Sequence, residues 1–315
     1  MKATDLPELR DELARWMSKP ESIDVLTQLN GRRGWMGSDH ISDESIAACI
    51  AWERAALRVG ELFFVNEDMT SLAIAAGRTL PGFTLQANDL PAESGLCLFA
   101  QGIDSRDPKD ANDAYVEVQG FSWYHGSVKF IDSARTSGLY VVTYNLRATT
   151  IQRGLADGTM DSDYTAWLQR QIPELVHHGE LFIPFDRHHD IPDSDDTAMA
   201  TYGRTLLATW LLMQQPGLTS TSDHEYTKLD KARLKRQRRK PERVHVIQLR
   251  RPAHDRHSGP VADRHYDHRW AVRGHWRKQW YPSRNDHQPI WIAPHIKGPE
   301  GAPLKTGEKV YAWVR

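Results

Sequence analysis

The chain has 315 residues, 40% of them hydrophobic, with 40 Lys+Arg against 41 Asp+Glu and a net charge of −1. That apolar content is enough for a packed core and excludes a wholly disordered chain. Two cysteines exclude a disulfide scaffold and any cysteine-built metal site, and the longest apolar run, LLATWLLM at 206–213, is too short to span a bilayer.

Taken in chain order, Leu6, Leu9, Leu13 and Trp16 recur at helical spacing, and GRRGWMGSDH then reads as a glycine-rich loop. Ser42 is placed to cap a helix through IAACIAWERAALRV that Gly60 closes. ELFFV (61–65) reads as a buried strand and 68–76 as a helix ended by Gly77 and Pro81-Gly82. GLCLFA, AYVEVQGFSWYH, SVKFID and LYVVTYNLRA have strand composition, with Gly126 at the expected turn between the second and third. Residues 161–178 read as helix, ELFIPF as strand, and 197–215 as a long apolar helix stopped by Pro216-Gly217. Cys49 and Cys97 lie in apolar surroundings and read as buried thiols. The polar start MKATDLPELRDEL does not look like a signal peptide, so a cytoplasmic protein without a membrane partner is expected.

The near-zero net charge hides a division. Residues 1–227 carry 18 basic and 33 acidic side chains, a net of −15; residues 228–315 carry 22 and 8, a net of +14. Eight of the 15 histidines also fall in the second segment. The composition predicts an α+β protein: an acidic mixed α/β domain over 1–220, a basic linker over 221–243, and a smaller basic β-rich module over 244–315, a curled sheet or small barrel. Such asymmetry points to a polyanion for the basic end and a protein partner for the acidic one.

The stretch HRWAVRGHWRKQWY (268–281) concentrates the candidate chemistry. Read as a strand, it places Trp270, Val272, Gly274 and Trp276 on one face and Arg269, Arg273, His275 and Arg277 on the other. Guanidiniums donate paired hydrogen bonds to phosphate, and imidazole exchanges protons near neutral pH. Arg269, Lys278 and Lys297 are expected to hold phosphates of single-stranded RNA, joined by Arg236, Arg238 and Arg239 of the linker, with Trp280 and Trp291 stacking on bases or packing. Should RNA be cut, His275 is the first candidate proton carrier, His295 a second, and Arg273 and Arg277 the stabilisers of the crowded phosphorane. An Arg-rich face is equally expected of a small sheet that is solvated or salt-bridged to an acidic neighbour. The His-Asp groups at 187–190, 254–257 and 263–268 match no metal signature, and no metal or cofactor is expected.

The C-terminal order GHWR (274–277), WIAPHIKG (291–298) and a final short strand, with LLATWLLMQQP and LRRP upstream, resembles a group of uncharacterised proteins from actinobacteria and their phages. The same order also resembles the type V-A anti-CRISPR family, whose members lower the effector's messenger RNA during translation. The matching positions are His275, Trp276 and Arg277, then Trp291, His295, Lys297 and Gly298, with Lys in place of Arg at 297. The resemblance covers the last quarter of the chain. It implies a mobile-element-encoded regulator acting on messenger RNA or translation. The alternative is a non-enzymatic protein-binding inhibitor, anti-CRISPR-like or antidefence, whose acidic surface mimics nucleic acid and whose Arg/His cluster is structural.

Overall fold

The structure, a computed structural model, describes residues 1–30, 43–104, 117–129, 135–156, 158, 160–189, 198–215, 217–250 and 269–299. Helices α1 (Leu6–Trp16), α2 (Glu21–Asn30) and α3 (Asp43–Val59) precede β1 (Glu61–Val65) and α4 (Glu67–Gly77). Next come β2 (Phe83–Thr84), β3 (Ser94–Asp104), β4 (Glu117–Lys129), β5 (Arg135–Leu146), α5 (Arg147–Ala156), α6 (Ser162–Gln171), β6 (Leu175–Pro184) and β7 (His188–His189). Then α7 (Ala198–Met213), β8 (Thr219–Asp223), α8 (Lys228–Arg236) and β9 (His245–Leu249) lead to four short strands. These are β10 (Trp270–Val272), β11 (His275–Tyr281), β12 (Asp286–Ile292) and β13 (His295–Lys297).

Local chemistry sets several of these boundaries. The Asn66 side chain accepts from Met69 N at 3.0 Å and starts α4. Thr227 and Asp230 form a reciprocal capping box that starts α8 inside the basic run. Pro173 stops α6, so 175–178, expected as helix, open strand β6 instead.

The main sheet has the order β6-β5-β4-β3-β1-β9-β8. ELFFV is apolar at four successive positions and is therefore suited to a strand covered on both faces. It pairs parallel with β3 (Phe63 opposite Cys97) and with β9 (Phe63 opposite His245); the other pairings in the sheet are antiparallel. One face, with Phe63, Val65, Phe99, Phe121 and Trp123, packs under α4 and α7. The other, with Leu62, Phe64, Leu96 and Val142, packs under α1, α2, α3, α5 and α6. Cys97 is buried and Cys49 half-buried, both as free thiols. Among the described residues no helix is long and apolar enough to cross a membrane.

The α+β class stands, but four details differ from expectation. The seven-stranded sheet is open, and the described residues of 270–297 pair as a two-stranded ribbon, so no barrel forms among the described residues. Gly126 is not a turn: β4 runs through it to Lys129, with Gly126 opposite Gly138 of β5. Strand β9, assigned from composition to the C-terminal module, lies inside the main sheet. Its charged flanks disguise a segment with Val244 and Ile247 both 0% exposed, one in each of the two cores. The stretch expected as a linker, 221–243, holds the end of β8 and all of α8.

Candidate nucleic-acid interface

The segment from Trp270 to Lys297 forms one two-stranded antiparallel ribbon. The pairs Trp270–Lys297, Val272–His295, His275–Ile292 and Tyr281–Asp286 share a single register. Pairing lapses at Arg273-Gly274 opposite Ala293-Pro294, where Pro294 has no N–H for the ladder. The sequence reading as a strand with alternating faces holds over Arg273–Arg277: Arg273, His275 and Arg277 are exposed, Gly274 and Trp276 half-buried.

The ribbon docks on the α4/α7 layer. Trp276 packs edge-on against Trp291, with ring centroids 5.2 Å apart, and donates its indole N–H to Ala76 O at the end of α4 at 2.8 Å. Gly274 is needed there, because a Cβ would lie 2.5 Å from the Trp291 ring. At the hairpin end, Arg284 grips Asp89 with two hydrogen bonds of 2.6 and 2.8 Å, and Gln288 adds a third at 3.1 Å. The acidic and basic parts of the chain thus dock on each other through a buried carboxylate, since Asp89 is only 4% exposed. Trp291, an expected stacking residue, is 8% exposed and belongs to the core; docking removes its ring from any base.

What remains outside is basic. Arg273, His275, Arg277, Lys278 and Lys297 are exposed, and Arg269 is half-buried. Among the described residues Arg273, Arg277, Lys278 and Lys297 have no carboxylate partner; Arg277 meets only the Gln279 amide, at 2.9 Å. Arg10, Arg147, Arg233, Arg239, Arg243 and Arg284 are paired with carboxylates, whereas Lys19, just after α1, and Arg170, in α6, resemble the ribbon cations in having none among the described residues. Trp280 is 45% exposed and rests edge-on against His287. A cleft of about 330 Å³ opens where the ribbon crosses the loop after α4, bordered by Thr79, Pro81, His275, Trp276 and Lys278.

The two candidate proton carriers are not brought together. His275 Nδ1 lies 3.0 Å from Arg273 O, and His295 Nδ1 lies 3.0 Å from Ala293 O. A carbonyl only accepts, so each Nδ1 carries the proton and each Nε2 is left for solvent or ligand. They stand three rungs apart, about 10 Å along the ribbon.

The linker cations are likewise elsewhere. Arg236 and Arg238 are exposed, but Arg239 donates to Pro7 O at 2.8 Å and to Asp11 at 2.5 Å. It ties the end of α8 to α1, as does the Arg10–Glu242 pair at 2.8 Å. Because α1 covers the opposite face of the sheet from α4 and α7, the linker and ribbon surfaces are separate. The groups at 254–257 and 263–268 lie outside the described residues, as does Asp190 of the group at 187–190.

A second polar cluster, absent from the sequence reading, lies between α3 and strands β4–β6. Glu53 is 2% exposed and accepts from the Tyr144 hydroxyl, which lies 2.7 Å from Ser122 Oγ. His177 Nε2 lies 3.2 Å from Glu180, and their side chains are 2% and 6% exposed. Tyr124 and Tyr140 stack at 5.2 Å beside them. Burial raises the Glu53 carboxyl to about 7, against the opposing pull of His177 and Tyr144 and with help from Glu180. Burial works against a charged His177, but Glu180 and Glu53 raise it on balance. Its neighbour His178 turns to the other face against Tyr202 and is pushed down to about 4 by burial, Arg153 and His177. Cys49 is raised to about 11 by burial, Glu180 and Glu53, so the cluster stores protons and does not activate its thiol. The signal in the sequence is a lone glutamate amid apolar residues, CIAWERAAL, which alternates with nothing visible.

Compared with known proteins, the chain matches no family model, and no curated protein shows significant similarity to it.

Proposed function

We propose that the protein is an RNA-interacting regulator that holds single-stranded RNA along the exposed parts of the ribbon, with Arg273 and Arg277 on its outer face and Lys278 and Trp280 on the other face, beyond the point where Trp276 docks. The observation that carries this reading is charge pairing. Among the described residues Arg273, Arg277, Lys278 and Lys297 have no carboxylate partner, and Lys278 lies two residues from the exposed Trp280 on the same ribbon. Guanidinium forks and ammonium groups suit phosphates, and Trp280 offers a face to an unpaired base. The C-terminal resemblance to the type V-A anti-CRISPR family supports a messenger RNA as target and a mobile element as source. The reading is one of binding; His275 is the group through which cleavage would enter.

The test is anisotropy with labelled single-stranded RNA in the presence of chelator, over a salt series. Four phosphate contacts predict a slope of about −2.8 in log affinity against log salt, a loss of about 50-fold between about 50 and 200 mM salt. The triple variant Arg273→Ala, Arg277→Ala, Lys278→Ala should lose most of both affinity and slope. No binding at low salt would sink the RNA reading and favour the protein-partner alternative. Cleavage by wild type but not by His275→Ala would add a metal-independent ribonuclease activity to it.

A further inference from the structure

We propose that the cleft between α1, the C-terminal end of α6 and the start of α5 binds a phosphate-bearing small molecule, independently of the ribbon. A cavity of about 320 Å³ lies there, lined by Arg15, Lys19, Arg147 and Arg170, with Glu12 as the one carboxylate among its lining residues. Its floor is fixed: Trp16 is 7% and Ile172 3% exposed, and the Trp16 indole N–H donates to Gln171 O at 2.5 Å.

Helix ends account for part of this charge. Arg15 and Arg170 lie in the last turns of α1 and α6, where backbone carbonyls favour a cation. That explains neither Lys19 nor the shortage of carboxylates. Arg147 is held by Ile172 O at 3.1 Å and Glu174 at 2.8 Å. Among the described residues Arg15 is tied only to the Asp11 carbonyl, at 3.1 Å. Lys19 and Arg170 have no ion-pair partner among the described residues. This gathering sits in the part of the chain with 33 acidic against 18 basic side chains, where carboxylates are the easier neighbours to find. Like charges around one cavity repel unless an anion fills it.

The chemistry selects the ligand class. Two or more guanidiniums with an ammonium match the several oxygens and double charge of a phosphate or diphosphate better than a single carboxylate. The volume is at the lower end of small-molecule sites, about 300–1,000 Å³, which suits a mononucleotide or sugar phosphate. Arg147, already oriented by two bonds, needs no reordering on binding.

The experiment is calorimetric titration of the full chain with pyrophosphate and with ADP at low salt, using wild type, the double variant Lys19→Ala, Arg170→Ala, and the ribbon variant Arg273→Ala, Arg277→Ala. Both substituted cleft residues are exposed, so the double variant keeps the fold. Binding by wild type, about 100-fold weaker in the double variant at about tenfold per charged contact, and unchanged in the ribbon variant, is the expected result. Absence of binding by wild type, equal binding by the double variant, or loss confined to the ribbon variant would each overturn the proposal.

Discussion

Replacing Glu53 with glutamine should flatten the dependence of stability on pH. Glu53 is 2% exposed and its carboxyl is raised to about 7 in the folded protein, against 4.5 for an open chain. The folded state therefore holds a proton that the unfolded state releases between those two values. Stability from this group is complete below about pH 4.5, falls as pH rises toward 7, and stays low above it. A difference of that size corresponds to about 3 kcal/mol. His177 acts in the same direction: its folded value is raised, so its contribution fades as pH climbs through that value. Glutamine keeps the shape and an oxygen for the Tyr144 hydroxyl but never ionises. Urea unfolding followed by circular dichroism at pH 5 and pH 8 measures the effect. Wild type should lose about 3 kcal/mol between the two and Glu53→Gln only a small part of that, so that the variant is the more stable protein at pH 8. An equal slope for both proteins would refute the assignment of Glu53 as a buried, proton-holding acid.

Other expectations follow from the docked ribbon. Gly274→Ala drives a methyl group into the Trp291 ring and should cost about 1–3 kcal/mol, with a change in tryptophan fluorescence as the ribbon lifts. Arg284→Ala leaves the buried Asp89 carboxylate without its charged partner and should destabilise by about 3–5 kcal/mol, which Asp89→Asn in the same chain should partly restore. Each single removal of Arg273, Arg277 or Lys278 should weaken all RNA sequences alike and reduce the salt slope by about 0.7. Arg239→Ala should instead lower stability, because that side chain binds Pro7 and Asp11.

The legible parts of the molecule were those whose pattern is local. ELFFV, the α4 segment and the apolar run of α7 declare themselves by burial period, and the alternation around Gly274 placed Arg273, His275 and Arg277 outside. What stayed hidden depends on residues far apart in sequence. Arg284 reaches Asp89 across 195 positions, and Trp16 reaches Gln171 across 155. Glu53 meets Tyr144 across 91 positions, so the partner that keeps this buried acid in the core is not visible from its own helix. Net charge also misled at one point. Arg239 was counted with the polyanion surface, yet α1 supplies its carboxylate, and a composition window cannot distinguish a cation awaiting a ligand from one already neutralised.

The place of β9 bears on the order of synthesis. It is the last strand to enter the seven-stranded sheet, yet it lies between β1 and β8 rather than at a margin. Until residue 249 has left the ribosome, the nascent chain holds β1 with one raw side and β8 with no neighbour at all. Fragments cut at the charged stretch before His245 should therefore aggregate or stay partly open, while a cut after Leu249 leaves every strand of that sheet in place. The sheet of the acidic portion is completed only by a strand that arrives with the basic one.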